Sequence, residues 1–122
     1  MLFRSINVQM KNTQNIGIGI DVIDVNRFKK IPYAKKTTFY TKNFTKSEID
    51  YCLSYRDSYL HFAAKFAIKE ATVKSTQKKL NLLDIETSHI KQKPTIKLRG
   101  DNNHSFLVSV SHDAGVAVAV VL

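Results

Sequence analysis

Two carboxylates in this chain stand where the surrounding pattern calls for bare or apolar surface. Residues Asn15 to Val22, NIGIGIDV, alternate: Ile16, Ile18, Ile20 and Val22 fall on one side, Gly17, Gly19 and Asp21 on the other. That is the period of a β-strand, with one bulky face and one bare face that ends in Asp21. Glycine weakens a strand unless something must approach its backbone closely, so the expectation is that a bulky ligand comes close here. From Tyr59 to Lys79, residues Tyr59, Phe62, Ala63, Phe66, Ala67, Glu70 and Val73 recur at intervals of three and four, which marks one face of a helix. Glu70 interrupts that stripe. A lone carboxylate facing a core is costly or takes up a proton, so Glu70 requires a cation, a hydrogen-bond network or a cleft at that point.

Other polar residues take their place from these two. Lys74 follows Glu70 by four positions and shares its helical face, whereas Lys69 is rotated from Glu70 by about 100°. Ser111 and His112 invite a nucleophile and base reading, but neighbours on a strand face opposite ways, so they do not form such a pair. His61, His89 and His104 match no motif and read as structural or solvated. Cys52 reads as a small core residue.

The elements that must position these groups follow from the chain around them. After the first strand, Asp21 or Asp24 caps a short helix, DVNRFKKI, which Pro32 ends. A polar stretch runs from Tyr33 to Asn43, and Thr45-Lys46-Ser47-Glu48 is a capping box that opens a helix through Tyr51 and Leu53. The remainder reads as β: Ile85 to Lys91 and Thr95 to Leu98 flank a turn at Gln92-Lys93-Pro94. Phe106, Val108, Val110 and His112 then alternate before Asp113-Ala114-Gly115 turns into VAVAVVL. Strand, helices and then antiparallel hairpins give an α+β fold, a small antiparallel sheet packed with a long helix and shorter helices.

A length of 122 residues, 43% of them hydrophobic, suits one core, so residues 1–122 read as a single domain with 1–14 as an N-terminal extension. No apolar run approaches the roughly 20 residues that span a bilayer, and the basic, acid-free start lacks the apolar core of a secretion signal. With a single cysteine, an internal disulfide is excluded and the cytoplasm is the expected compartment. The net charge of +9 attracts an anionic cofactor, an acidic protein or nucleic acid, and composition does not choose among them.

Four motifs do choose. Gly17-Ile18-Gly19-Ile20-Asp21 resembles the G-I-G-I-D strand of 4′-phosphopantetheinyl transferases, and Phe66 to Lys74, FAIKEATVK, resembles their F/W-x-x-K-E-A-x-x-K signature. Phe44-Thr45-Lys46-Ser47-Glu48 is similar to the F-T-x-x-E that opens a helix between them, and Ser109-Val110-Ser111-His112 to the S-x-S-H of the last hairpin. Order and spacing resemble the small single-repeat branch, holo-acyl-carrier-protein synthase, over roughly residues 16 to 122.

The resemblance implies an enzyme that moves the phosphopantetheine arm of coenzyme A to a serine of an apo acyl carrier protein and releases 3′,5′-ADP. It implies Mg²⁺ held by Asp21 and Glu70, a number of carboxylates that suits a hard cation completing its shell with phosphate oxygens and water. Glu70 or a metal-bound water would take the serine proton, and Lys74 would meet the phosphates or the leaving oxygen. Coenzyme A would also meet Lys69, Lys65, Lys93 and Pro94, with Ser111 and His112 contributed from a neighbouring subunit of a trimer. Arg27 and Lys30 would dock the acidic carrier, and neither nucleic acid nor membrane is an expected partner.

The chain departs from the pattern in three places. The glycine usual after the signature helix is replaced by Ser75-Thr76-Gln77-Lys78-Lys79, Lys65 stands where arginine is common, and Gln92 replaces the glycine before Lys93-Pro94. These changes bear on how coenzyme A is gripped. Two alternatives follow: a small basic nucleic-acid-binding module, for which two inward carboxylates serve no purpose, and a family member that binds coenzyme A or a carrier without turnover.

Overall fold

The computed structural model describes residues 16–76, 78–101 and 103–122; the 1–14 extension lies outside them. The chain runs β1 (Gly19–Asp24), α1 (Val25–Lys29), α2 (Thr37–Asn43), α3 (Lys46–Leu53), α4 (Ser58–Ser75), a 3₁₀ turn (Leu82–Asp84), β2 (Ile85–Ile90), β3 (Lys93–Leu98), β4 (Val108–Asp113) and β5 (Val116–Val121). It is an α+β architecture. A three-stranded antiparallel sheet in the order β1-β5-β4 lies against α4, and β2 with β3 forms a separate hairpin. No helix among the described residues is long and apolar enough to cross a membrane.

The glycines of β1 explain why sheet and helix come so close. A β-carbon at Gly19 would overlap the carbonyl oxygen of Ala71, and one at Gly17 the carbonyl oxygen of Ser75. The bare face therefore admits the backbone of α4 and not a ligand, which corrects the expectation from sequence. Small residues do the same on the central strand, where Ala117 and Ala119 face inward and are fully buried. The bulky face of β1 is left outside: Ile18, Ile20 and Val22 are 66%, 55% and 59% exposed.

The stretch read as polar between Tyr33 and Asn43 contains helix α2. Its only large apolar residues are Phe39 and Tyr40, too few to show a period, and so short a helix depends on tertiary packing. Tyr40 is fully buried, its ring edge-on to Phe62 at 4.7 Å and its hydroxyl donating to the Ile31 carbonyl at 2.7 Å. Asp24, not Asp21, caps α1 by accepting from the Asn26 amide. The capping box forms as read: Thr45 Oγ1 accepts from the Glu48 amide at 3.3 Å, and Glu48 Oε1 accepts from the Thr45 amide at 2.8 Å.

Helix α4 stops at Ser75, four residues short of the sequence reading. In place of a glycine stop, Ser75 donates its hydroxyl to the Thr72 carbonyl and Thr76 turns extended. The β2–β3 turn also shifts. It consists of Lys91 and Gln92, at φ 51° and 69°, so Lys93 and Pro94 already belong to β3 and pair with Ile90 and His89. Positive φ at both positions is the mark of a type I′ two-residue hairpin loop. Proline is tolerated in β3 because a two-stranded sheet has only edges.

Candidate active site

Glu70 lies where its stripe on α4 leaves the core. It is half-buried and lines a cavity of about 650 Å³ together with Val73, Lys42 and Asn43 at the end of α2, residues 80–84, and Arg99. It has no ion-pair partner among the described residues.

Asp21 is on the face of β1 turned toward α4, paired in register with Ala119. Its Oδ1 accepts from Lys74 Nζ at 3.1 Å, and the same ammonium donates to the Ile20 carbonyl at 3.2 Å. Its Oδ2 is buried and has no hydrogen-bond partner among the described residues. Lys74 thus relates the two carboxylates: it stands one turn from Glu70 on α4 and makes its contact on Asp21. Asp21 itself does not line the Glu70 cavity.

The donor chemistry fits a hard divalent cation. A buried carboxylate oxygen without a donor is an unfavourable arrangement until a positive charge meets it. Groups of three or more potential metal-ligating side chains are absent among the described residues. Mg²⁺ commonly takes only one or two carboxylates and completes its shell from substrate and water.

Two residues expected at the cofactor are instead interior. Lys65 is 3% exposed; its Nζ donates to the Thr87 carbonyl and hydroxyl at 3.2 and 2.9 Å and lies 4.6 Å from the Tyr51 ring centroid. Lys69 is completely buried, 2.6 Å from Glu48 Oε1 and donating to the carbonyls of Asn43 and Leu82, each at 2.9 Å. Burial pushes both ammonium groups below their ordinary pKa, with the Glu48 charge opposing the shift. Neither side chain has a donor left pointing to solvent. The reason is that α3 and β2 cover this side of α4, with Glu48 Oε2 accepting from the Thr87 amide and hydroxyl. The apolar stripe did not reveal that cover.

The last hairpin does not bring its motif to the Glu70 cavity. Ser109 and Ser111 alternate onto the outer sheet face, in register with Val120 and Val118. His112 points the other way, into a shallow depression with Asn26, Lys29, Asp57 and Leu60. Lys93 and Pro94 sit at the tip of the β2–β3 hairpin, whereas Asp84 and Arg99 flank its base. Six-residue strands separate tip from base by about 17 Å, so within one chain Lys93 and Pro94 stand apart from Glu70. Arg27 is exposed on α1, its guanidinium carbon 5.5 Å from the ring centroid of Phe66, one helical turn before Glu70. Lys30 caps the end of the same helix and is exposed.

Sequence reasoning missed Lys42 and Arg99, the two cations lining the cavity, because nothing local distinguishes them from other surface charges. It used Glu48 as a cap and missed the pair with Lys69. Cys52 is buried as expected, and burial pushes its thiol pKa up to about 12. His61 stacks on Tyr55 at 3.9 Å, His89 on Tyr51 at 4.9 Å, and His104 contacts Asp101.

Fold and site together define a small α+β protein in which one long helix carries a carboxylate and a cation toward an acidic strand end. The family model described as the 4′-phosphopantetheinyl transferase superfamily matches residues 17–121. A holo-[acyl-carrier-protein] synthase of Thermodesulfovibrio yellowstonii is 39% identical over 109 residues, covering 87% of this chain and 96% of the relative. Among solved structures, a Helicobacter pylori holo-[acyl-carrier-protein] synthase in complex with coenzyme A is 36% identical with a TM-score of 0.73, covering 86% of this chain and 97% of that one. A Bacillus anthracis holo-(acyl-carrier-protein) synthase in complex with CoA (3′,5′-ADP) is 30% identical with a TM-score of 0.75, covering 87% and 94%. The chain belongs to the 4′-phosphopantetheinyl transferase superfamily, in its small single-repeat holo-[acyl-carrier-protein] synthase branch, and is an enzyme.

Proposed function

We propose that this chain transfers the 4′-phosphopantetheine arm of coenzyme A to a serine hydroxyl of an apo acyl carrier protein and releases 3′,5′-ADP. The observation that carries the reading is the buried Oδ2 of Asp21, unpartnered among the described residues, beside Lys74, one turn from Glu70. Asp21 and Glu70 are the residues that would hold Mg²⁺, which neutralises pyrophosphate charge when bound. Glu70 accepts the serine proton as the serine oxygen bonds to phosphorus and the pyrophosphate P–O bond breaks. Lys74 meets the negative charge that gathers on the departing 3′,5′-ADP. Arg27 on α1 and Lys30 at its C-terminal cap, both exposed, steer an acidic carrier.

The working unit is read as a homotrimer. Support comes from the exposed face of Ile18, Ile20 and Val22, an apolar surface that association would cover. Ser111 lies on that same outer face and His112 outside the Glu70 cavity, which suits their contribution to a neighbour's site. The unpaired, buried Cys52 supports a cytoplasmic setting.

The deciding assay mixes the protein with coenzyme A, Mg²⁺ and an apo carrier protein and follows the carrier by mass spectrometry. Carrier modified by one phosphopantetheine, lost with Glu70→Ala and on chelation of Mg²⁺, is the expected result. Unmodified carrier throughout would refute the reading.

A further inference from the structure

The cavity beside Glu70 is walled by two segments that do not belong to α4: the end of α2 at Lys42 and Asn43, and the turn through residues 80–84. Both are attached behind the cavity at a single atom. Lys69 directly precedes Glu70, and its fully buried ammonium has three N–H donors. These match three acceptors: Glu48 Oε1, the Asn43 carbonyl and the Leu82 carbonyl.

The acceptors are not interchangeable with solvent. Asn43 ends α2, so its carbonyl lacks an intrahelical donor, and a cation there is favoured by the negative end of the helix dipole. Leu82 opens the 3₁₀ turn. Glu48 fixes the ammonium from the far side, and its remaining oxygen is held by Thr87. A buried ion pair is weak support for stability, since apolar residues of similar volume often serve as well. An apolar residue has no means of holding two carbonyls from separate segments at a set distance.

We propose that Lys69 is a positioning residue: it fixes the two outer walls of the Glu70 cavity against the turn of α4 that carries Glu70, and so sets the space offered to the phosphopantetheine donor. This rests on the transfer reading above. It replaces the direct cofactor contact expected from sequence with an indirect role through the main chain.

Lys69→Met alone strands the Glu48 charge and is expected to unfold the protein, so the test is the neutral pair Lys69→Met/Glu48→Gln. It should unfold cooperatively, raise KM for coenzyme A about tenfold and leave kcat within about threefold, as a loosened site would. Backbone amides at 43–45 and 82–85 should exchange hydrogen about tenfold faster, with β1 and β5 unchanged. A folded pair with wild-type KM and wild-type exchange overturns the proposal. If the wild-type protein transfers nothing, the transfer reading fails, and exchange alone decides the role of Lys69. If the first pair does not fold, Lys69→Gln/Glu48→Gln replaces it with the same expectations; failure of both to fold overturns the proposal in favour of a purely structural ion pair.

Discussion

Lys74 Nζ lies 3.1 Å from Asp21 Oδ1, so the cation four residues after Glu70 is engaged with strand β1 and not with its own helix. The arrangement pairs one carboxylate oxygen of Asp21 and leaves the other, Oδ2, buried without a donor among the described residues. Helix α4 and strand β1 therefore meet at a point where charge is unevenly satisfied, which is where an incoming cation has most to gain.

Lys74→Met tests the chemistry. Lys74 is more than half exposed but Asp21 is only 14% exposed, so losing the ammonium leaves a largely buried carboxylate without its donor, a cost of about 1–3 kcal/mol. Lys74→Met should lower the melting temperature by roughly 4–15 °C and still fold. Its transfer rate should fall roughly 100-fold or more, the scale of losing a group that meets developing charge. A normal rate in a folded variant would remove Lys74 from the chemistry.

Gly19 is required by the approach of the helix. A β-carbon there meets the Ala71 carbonyl and the Ser75 amide, both main-chain atoms inside α4 that cannot swing aside. Gly19→Ala should therefore destabilise the fold by about 4 kcal/mol or more, the range reserved for core overpacking. Soluble yield and thermal melting are the measurements. A melting curve like that of the wild type would mean that β1 and α4 lie further apart than described.

The outer face of β1 gives a test of assembly. Charges introduced by Ile20→Glu and Val22→Glu face outward, so they should leave the monomer fold intact while dispersing any complex built on that face. If the proposed homotrimer is built on that face, light scattering should report a drop to the monomer mass, with far-ultraviolet circular dichroism unchanged. Unaltered mass would place the interface elsewhere.

His61 and His89 predict a pH dependence. Burial is the main cause that lowers both imidazoles below the ordinary value of 6.5. Lys65 faces both and adds to the effect; His112 also lowers His61, Asp57 opposes it, and His61 lowers His89. The unfolded chain then binds more protons than the folded one as pH falls past 6.5, so stability is full above that value and declines below it. Melting temperatures at successive pH values between 7.5 and 5.5 should fall for the wild type and fall less for His61→Gln/His89→Gln. Parallel slopes would show that other groups dominate.

Much of the architecture was legible because it is written in local periods. The alternation of NIGIGIDV, the stripe that Glu70 interrupts, the Thr45–Glu48 box and the hairpin at Ala114-Gly115 each depend on residues within one turn or one strand of each other. Short α2 escaped detection because two aromatic residues make no period. The Lys91-Gln92 turn was read one to two residues too late, at 92–94, because neither is a residue type that announces positive φ.

By itself the sequence determined that Asp21 and Glu70 are anomalous, that a strand and a long helix carry them, and that the pattern resembles a phosphopantetheinyl transferase. Only the tertiary structure decided the fates of the lysines. Lys65, Lys69 and Lys74 recur along one helix, and nothing in their spacing says which is enclosed. Enclosure depends on where α3, β2 and β1 cover α4, a matter of contacts between residues far apart in the chain. That covering leaves Lys65 and Lys69 inside, bound to Thr87 and Glu48, and brings Lys74 alone to Asp21.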